Sequence, residues 1–332
     1  MELGVFESPG EEWDEFASRY TDLIFYQSIW SEVLKKGLGG QPLYLYLREG
    51  EKIVAGLPGI LLHFKIFKIL YASIPYGHLI GEKSYYSVFL ELLEKEFRKR
   101  GIDQVRLTES PFCESYAPES FNPIPAKCTL LDLRGHEKKN IWEGYRGEVR
   151  RAIRKAQKHG FSVRRAEKRN EMEIFYQLYH FSMERNRAVA KYPRRWFDTL
   201  FEILIQQKKA DVFFAIKDDQ YAAGVVLVHS KSSIHYLHNG SSKAYLENRP
   251  NDLIVDYIIH QAVEEGKMTL DFMGSDPNDL SLLRFKEKWG SHSMDLRTYV
   301  KDYRPFRSKI WELGRRFASS RFGSMVLKFV RD

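Results

Sequence analysis

The sequence predicts an α/β protein that contains the same arrangement of helices and strands twice. Short apolar or alternating segments, which are typical of strands, are interspersed with segments of helical periodicity. The order of these segments in the first half of the 332 residues is nearly repeated in the second half. Hydrophobic residues make up 43% of the chain and aromatic residues 14%, which indicates a folded globular protein.

In the first half, alternation and apolar runs predict strands, and a 3.6-residue period predicts helices. Turn and cap signals such as Glu49-Gly50 and Gly101 mark their ends. In chain order the predicted elements are a strand at Leu3–Phe6, helices at Gly10–Arg19 and Ser28–Lys36, strands at Leu43–Arg48, Lys52–Leu62 and Phe67–Ser73, a helix at Tyr85–Arg100, a strand at Gln104–Thr108, a short helix at Cys113–Glu119 and a strand at Lys127–Asp132.

The second half repeats this order by the same criteria. The predicted elements are a strand at Phe161–Arg165, helices at Glu171–Asn186 and Pro193–Gln207, strands at Asp211–Lys217, Ala222–His229 and Ser233–His238, a helix at Asp252–Glu265, a strand at Thr269–Phe272, a helix at Ser281–Trp289 and a strand at Asp295–Val300. The repeated order indicates an internal duplication and matches the N-acetyltransferase (GNAT-type) α/β unit. We therefore predict GNAT-like domains at residues 1–136 and 137–302, followed by a tail at 303–332.

A basic helix is predicted to join the two halves, from Lys138 to His159, with Gly160 ending it. Its apolar stripe recurs every four residues and consists of Ile141, Tyr145, Val149 and Ile153. Its cations crowd the other side and include Arg150, Arg151, Arg154, Lys155 and Lys158. They are either a site for an anionic partner such as tRNA or an ordinary solvated helix face.

The positive charge is concentrated in two segments. The net charge is +8 in total; residues 146–169 carry ten basic residues against two acidic ones, and residues 303–332 carry eight against two. Such localisation predicts an anionic partner at two places. The tail also contains many apolar residues, so it is either a segment that contacts an anionic membrane surface or a helix packed on the protein.

Cysteine usage and hydropathy predict a cytoplasmic protein. The two cysteines, Cys113 and Cys128, suit neither a disulfide framework nor a metal site, and we interpret them as buried thiols. The N-terminal residues lack the pattern of a signal peptide, and the most apolar region, Ile53–Ile80, is interrupted by polar residues and prolines. A peripheral location at the inner face of the membrane, through the tail, is the alternative.

The segment from Leu270 to Gly290 is the most informative for chemistry. A short strand ends at a Gly274-Ser275 loop, and Lys286 follows between Phe285 and Trp289. The two aromatic rings can pack on one helix face and so direct the lysine. A cation held near a glycine loop suits anionic or carbonyl chemistry; the alternative is an ordinary exposed lysine.

Several segments together resemble a known family: Phe25–Trp30 with Lys35 and Lys36, Gly56–Pro58, Ser73–Tyr76, Val149–Gly160, Phe175–Met183 with Arg185, Arg249–Leu253, and Asp271–Gly290. Through them the chain resembles the FemAB/FemX peptidoglycan interpeptide-bridge aminoacyltransferases, which are tandem GNAT-like proteins. The resemblance implies transfer of an aminoacyl group from a charged tRNA to an amine on a peptidoglycan precursor. It also implies that Lys286 stabilises charge during transfer, and that Arg185 with Lys35 or Lys36 holds phosphate groups of the acceptor.

Three further positions complete the candidate site. Asp271, at a strand end, either orients the Gly274-Ser275 loop or holds the acceptor amine. Glu109 ends another strand, where a carboxylate could bind the acceptor ammonium or accept its proton, or could be structural. Asn251, a candidate substrate-binding residue, is also expected with Asp252 to cap the following helix.

The predicted reaction is direct attack of the amine on the donor in a ternary complex, because no Cys-His or Ser-His-Asp arrangement is evident in the sequence. No bound cofactor or metal is expected. An acyl-CoA-dependent N-acyltransferase is the second hypothesis, although no convincing pyrophosphate-binding turn follows the predicted strands. A third is a non-enzymatic basic protein that binds RNA or membrane.

Overall fold

The computed structural model describes residues 1–64, 67–114, 116–186 and 188–309. The α-helices are α1 Glu11–Ser18, α2 Ser28–Leu38, α3 Tyr86–Lys99, α4 Lys138–Gly144, α5 Gly147–Lys158, α6 Glu171–Arg185, α7 Arg194–Leu200, α8 Pro250–Glu264 and α9 Leu280–Glu287. The strands are β1 Glu2–Phe6, β2 Gln41–Pro42, β3 Tyr44–Glu49, β4 Lys52–Leu57, β5 Ile60–Phe64, β6 Phe67–Tyr71, β7 Ile80–Gly81, β8 Gln104–Thr108, β9 Asn122–Asp132, β10 Ser162–Arg165, β11 Ala210–Lys217, β12 Gln220–His229, β13 Ser233–Ser241, β14 Thr269–Ser275 and β15 His292–Asp302.

The chain folds into two compact units. One contains Met1–Ile124 and the chain from Arg297 onward, and the other is Pro125–Leu296. These bounds differ from the predicted domains at 1–136 and 137–302. The difference arises because β9 from Lys127 pairs with β14 of the second unit, whereas β15 from Thr298 pairs with β8 of the first. Most of the predicted tail, residues 310–332, lies outside the described residues.

The first unit contains an antiparallel sheet with the strand order β1-β3-β4-β7. A second sheet contains β8, β6, β5 and β2 as successive neighbours. Strands β6 and β8 are parallel, and α3 lies between them in the chain. Phe89, Leu93 and Phe97, four residues apart on α3, pack into one core with residues of both sheets. Full burial of each such side chain is worth roughly 1.5–3 kcal/mol.

In the second unit, the strand order is β10-β11-β12-β13-β14-β9. Only the β13–β14 pair among these is parallel, and α8 lies between the two strands in the chain. Each unit therefore contains one parallel strand pair whose connection includes a helix, which is the arrangement that a parallel pair requires. This common feature agrees with the predicted duplication, and the predicted α/β fold class is confirmed.

The helices of the second unit cover its sheet. Helix α5 packs against α8, and the predicted apolar stripe Ile141, Tyr145, Val149 and Ile153 is buried in the core as expected. Helix α6 packs on the sheet at β12 and β13. The closest approach is at Gly240 of β13, where an added Cβ would lie 2.4 Å from the backbone nitrogen of Tyr179.

The predicted joining helix is two helices, α4 and α5. Tyr145 and Arg146 between them are extended, with ψ of 140° and 149°. The glycines at 144 and 147 flank this break, and glycine costs about 1 kcal/mol in a helix interior. The break lets the Tyr145 ring reach the core, where it meets the Trp289 ring edge-on at 5.5 Å between centroids.

Other element predictions also need correction. The strand predicted at 52–62 is two strands, β4 and β5, because Pro58 between them has no N–H to continue a ladder. The described residues of 113–119 contain no helix. Ser110 and Pro111 begin a turn that is closed by a hydrogen bond from the Cys113 N–H to the Ser110 carbonyl. The helix predicted at 193–207 is α7 followed by a π-helical turn, Phe201–Ile205.

A candidate active site in the second unit

Strands β13 and β14 pair over three residues and then part. Their parallel register begins with Ser233 opposite Thr269 and ends with His235 opposite Asp271. Strand β13 then continues to Ser241, and β14 continues through an irregularity to Gly274 and Ser275, which pair with β9 instead. Gly274 and Ser275 thus lie beyond the last paired residues of the two parallel strands.

Lys286 is directed at this end of β14 and is only 6% exposed. It lies on α9, whose first turn is capped by Asp279 through a hydrogen bond from the Leu282 N–H. Its Nζ donates to the Met273 carbonyl at 2.8 Å, to Ser275 Oγ at 2.7 Å and to the Gly274 carbonyl at 3.4 Å. The structure therefore excludes the alternative of an ordinary exposed lysine.

The surroundings of Lys286 make its ammonium unusually acidic. Burial lowers its pKa to about 8 from the ordinary 10.5, because the charged form loses its hydration. The negative charges of Asp271 and Asp279 act in the opposite direction and are too weak to cancel this effect. Near neutral pH the side chain is still mainly charged.

Asp271 is fully buried and fixes the backbone that faces Lys286. Its Oδ1 accepts from the Met273 N–H at 2.7 Å and from the Cys128 thiol at 3.3 Å. Met273 adopts the left-handed region with φ of 65°, and its carbonyl accepts from Lys286. Asp271 is therefore hydrogen-bonded to the residue that precedes the Gly274-Ser275 segment.

A buried Ser-His-Asp chain, which the sequence did not reveal, adjoins this network. His235 Nδ1 lies 2.9 Å from Asp271 Oδ2, and its Nε2 lies 2.8 Å from Ser230 Oγ and 3.2 Å from Ser233 Oγ. The histidine and both serines are at most 5% exposed. Such mutual hydrogen bonding is how buried polar groups are ordinarily satisfied. No local spacing signals it, because Asp271 is 36 positions after His235.

The start of α8 does not have the features of an open anion site. The helix begins at Pro250, which has no N–H, and the preceding Arg249 is left-handed without a side-chain cap. Asp252 in the first turn is 3% exposed and forms a close ion pair with Lys288. The prediction that Asn251 caps this helix is therefore wrong, since Asn251 lies inside it.

Arg185 lies in the last turn of α6 and is bonded to the end of β13. Its guanidinium donates to the Ser241 carbonyl at 3.0 Å, to Ser182 Oγ at 3.1 Å and to Ser241 Oγ at 3.2 Å. Partial burial lowers its pKa. Among the described residues no ion pair neutralises Arg185, so its charge remains available to an anion.

The basic residues of α5 lie mostly at its surface. Arg150 donates to the Trp142 and Glu143 carbonyls, and the Arg154 guanidinium lies over the Trp142 ring at 5.3 Å. Arg151, Lys155 and Lys158 are exposed. In the part of the chain that the structure covers, no carboxylate pairs with any of these five cations.

Three candidate residues belong to the first unit. Lys35 and Lys36 are exposed in the last turn of α2, and Lys35 Nζ lies 3.9 Å from a Glu32 oxygen. Glu109 is 7% exposed and accepts from the Arg297 N–H at 2.8 Å and from the Tyr299 hydroxyl at 2.9 Å. These bonds tie Glu109 to β15.

The described residues contain no group of three or more His, Cys, Asp or Glu side chains that could hold a metal ion. None of the helices in the described ranges combines the length and apolar character needed to cross a bilayer.

Known proteins with related folds place these observations in context. The acetyltransferase (GNAT) domain family matches residues 144–287. Comparison with curated proteins found no match. Among the similar solved structures, FemX has 14% sequence identity and a TM-score of 0.65, and the match covers 90% of this chain and 97% of FemX. A tandem GNAT protein from the clavulanic acid biosynthesis pathway has 11% identity and a TM-score of 0.58, with 91% of this chain and 98% of that chain covered. The C-terminal domain of a putative lysylphosphatidylglycerol synthetase from Agrobacterium fabrum has 14% identity and a TM-score of 0.57, with 87% of this chain and 92% of that chain covered.

At these identities the likeness concerns the fold, and the domain match covers the region that contains β13, α8, β14 and Lys286. The predicted resemblance to FemX is confirmed at this level. The chain thus has the tandem GNAT-type fold that it shares with FemX, and residues 144–287 match the acetyltransferase (GNAT) domain family.

Proposed function

We propose that the protein transfers an aminoacyl or acyl group from an activated donor to an amine, with aminoacyl-tRNA as donor and a peptidoglycan-type envelope precursor as acceptor. The observation that carries this proposal is the buried Lys286 ammonium, held at the end of β14 where the parallel strands part. A built-in cation beside an exposed backbone segment suits a carbonyl that acquires negative charge.

The Ser-His-Asp chain of Ser230, Ser233, His235 and Asp271 removes the sequence argument for direct attack. We retain direct attack because these side chains are at most 5% exposed, so no serine is presented to a donor as a nucleophile. The acceptor nitrogen attacks the donor carbonyl, and the positive charge at Lys286 stabilises the resulting oxyanion or the departing oxygen. Preorganised groups of this kind contribute about 10²–10³-fold in rate. Asp271 maintains the Met273 backbone against which the lysine is held.

The start of α8 favours a donor other than acyl-CoA. Binding of a pyrophosphate at a helix start uses free backbone N–H groups and a positive helix end. Here the first helical residue is Pro250, and the Asp252 carboxylate lies in the first turn. Both features disfavour a pyrophosphate at this place.

The surface of α5 favours a nucleic-acid donor. Its exposed cations have no carboxylate partners among the described residues, and phosphate contacts are the usual source of such affinity. One neighbour is named a putative lysylphosphatidylglycerol synthetase, a name that itself denotes addition of a lysyl group to a phospholipid. An aminoacyl donor is therefore compatible with this fold.

Phosphate groups of the acceptor would be held by Arg185, whose guanidinium is fixed by Ser241 and carries no ion pair among the described residues. Lys35 or Lys36 and Asn251 are further candidates for substrate contact. Glu109 would act on the acceptor amine only by giving up its bonds to Arg297 and Tyr299. We place the reaction in the cytoplasm, at the inner face of the membrane where envelope precursors are presented.

An acyl-CoA-dependent N-acyltransferase is the second candidate, and the match to an acetyltransferase domain favours it. The test is to incubate purified protein with ¹⁴C-labelled aminoacyl-tRNA and, separately, with ¹⁴C-acetyl-CoA. Lipid-linked peptidoglycan precursor and free diamines serve as acceptors. We expect label transfer from aminoacyl-tRNA; transfer from acetyl-CoA alone would establish the second candidate. Transfer from neither, with tight binding to RNA or anionic liposomes, would indicate a non-enzymatic protein.

A further inference from the structure

The hydrogen bonds of Lys286 account for every proton on its ammonium. A lysine ammonium has three N–H donors and no acceptor. Three protein oxygens lie within hydrogen-bond distance of Nζ: the carbonyls of Met273 and Gly274, and the hydroxyl of Ser275. The side chain is also 6% exposed. The ammonium can therefore influence a substrate through its charge, but its protons are directed at the protein.

Among the three acceptors, only Ser275 also carries a proton that it can donate. A backbone carbonyl accepts hydrogen bonds and cannot pass a proton on, whereas a hydroxyl both accepts and donates. Because Ser275 Oγ accepts from Nζ at 2.7 Å, its own hydrogen is directed elsewhere. Ser275 itself is 8% exposed, and the residues on either side of it, Gly274 and Asp276, are exposed. The hydroxyl is thus the natural connection between the buried lysine and a substrate at this edge.

We propose that Ser275 is a further catalytic residue, whose hydroxyl transmits a proton from Lys286 to the departing oxygen of an ester donor. This inference rests on the proposed function. It assigns to Ser275 a specific step, protonation of the leaving group, in addition to the charge stabilisation assigned to Lys286.

The acceptor nitrogen forms a bond to the donor carbonyl carbon and loses a proton to solvent. As the bond from carbon to the departing oxygen breaks, its electron pair takes the Ser275 hydroxyl proton, and Ser275 takes a proton from Lys286 Nζ. Lys286 is then neutral and regains a proton from solvent. No oxidant, metal or covalent enzyme intermediate takes part.

The surroundings suit both protonation states of the lysine. When neutral, the amine has two N–H donors for the two carbonyls and one lone pair, which can accept from the Ser275 hydroxyl. Only the Ser275 bond must reverse its direction, so the cycle needs no movement of the backbone. The pKa of about 8, caused by burial, also makes the ammonium a better acid than an ordinary lysine.

The ionisable groups that face Lys286 come from three elements. Cys128 is on β9, Asp271 is on β14 and Asp279 precedes α9. The negative charges of Asp271 and Asp279 favour the charged lysine, so it can act as the acid near neutral pH. Turnover of an ester donor is expected to fall as pH rises through the lysine pKa.

The test compares two donors that differ in their need for a proton. The first is the 3′-alanyl ester of adenosine, whose departing alcohol needs protonation. The second is the alanyl thioester of N-acetylcysteamine, whose departing thiol ionises near pH 8.5, as cysteine does. Lipid-linked peptidoglycan precursor and 1,5-diaminopentane serve as acceptors. For Ser275→Ala we expect kcat to fall about 10²-fold with the ester and less than about 3-fold with the thioester.

Ser291→Ala is the matched control, because Ser291 is similarly buried and donates to the backbone carbonyl of Lys286 rather than contacting Nζ. It is expected to affect both donors equally. An equal effect of Ser275→Ala on both donors, with a folded variant by circular dichroism, would overturn the role of Ser275. If the wild-type protein uses neither donor, the proposed function itself fails, which is a different result.

Discussion

Replacing Lys286 with methionine should separate its chemical role from its structural cost. Methionine matches the length of the lysine stem and has no charge. Loss of a fixed cation beside the reacting carbonyl is expected to lower kcat/KM about 10²-fold, which corresponds to about 2.7 kcal/mol of transition-state stabilisation. The fold should persist, because the lysine is a charge that burial disfavours.

The stability effect has a sign and a pH window that follow from the lowered pKa. Lys286 ionises at about 8 in the folded protein, against 10.5 as the ordinary value. Between these two values the unfolded chain binds the additional proton, so stability rises with pH. Below pH 8 the free-energy cost of burying the charge is present in full, and above pH 10.5 this cost is absent. The shift corresponds to roughly 3 kcal/mol.

The assay is urea denaturation of wild-type protein and Lys286→Met at pH 7 and pH 10.5. The free energy of unfolding of the wild type, relative to the variant, is expected to increase by roughly 3 kcal/mol between the two pH values. Ionisation of other groups is common to both proteins and cancels in the difference. Lys286→Arg, which retains the charge at both pH values, is the control. Its free energy of unfolding, relative to Lys286→Met, should not increase between the two pH values. A constant difference between wild type and Lys286→Met would refute the buried, acidic lysine.

Three other predictions test separate features. Arg154→Ala should weaken RNA binding and lower the slope of log affinity against log salt by about 1, measured by fluorescence anisotropy; an unchanged slope would remove the α5 surface from donor binding. Glu109→Gln should destabilise the protein by about 1–3 kcal/mol in thermal denaturation, because its oxygens accept from Arg297 and Tyr299, whereas unaltered stability with lost turnover would indicate direct catalysis. Gly240→Ala should cost at least about 1–3 kcal/mol, since its Cβ would lie 2.4 Å from the Tyr179 nitrogen; a melting temperature equal to the wild type would contradict the close packing of α6 on β13.

Local patterns in the sequence predicted the fold class and the helix that carries Lys286. The strand and helix around Lys286 are close in the chain, so periodicity placed the lysine on a helix after a strand. The predicted strand ended at Phe272 before a Gly274-Ser275 loop, whereas β14 extends to Ser275. The apolar stripe of α5 likewise identified its buried side.

The remaining features depend on contacts between distant segments. The hydrogen bonds of Asp271 to His235 and Cys128 join residues from three strands, and no spacing indicates them. The break at Tyr145 arises because that ring packs on Trp289, far along the chain. The burial that makes Lys286 acidic depends on the assembled sheet rather than on its own helix.

The two-unit arrangement has a consequence for biosynthesis. Strand β8 of the first unit pairs with Thr298–Asp302, and Tyr299 belongs to the core of that unit. A ribosome therefore releases the first 124 residues long before their partner strand exists, while the second unit can be completed earlier. Domains usually fold in the order of their synthesis. Here the second unit should fold before the first, because the first unit is incomplete until β15 has been synthesised. The nascent amino-terminal segment is therefore the region that we expect to need chaperone protection most.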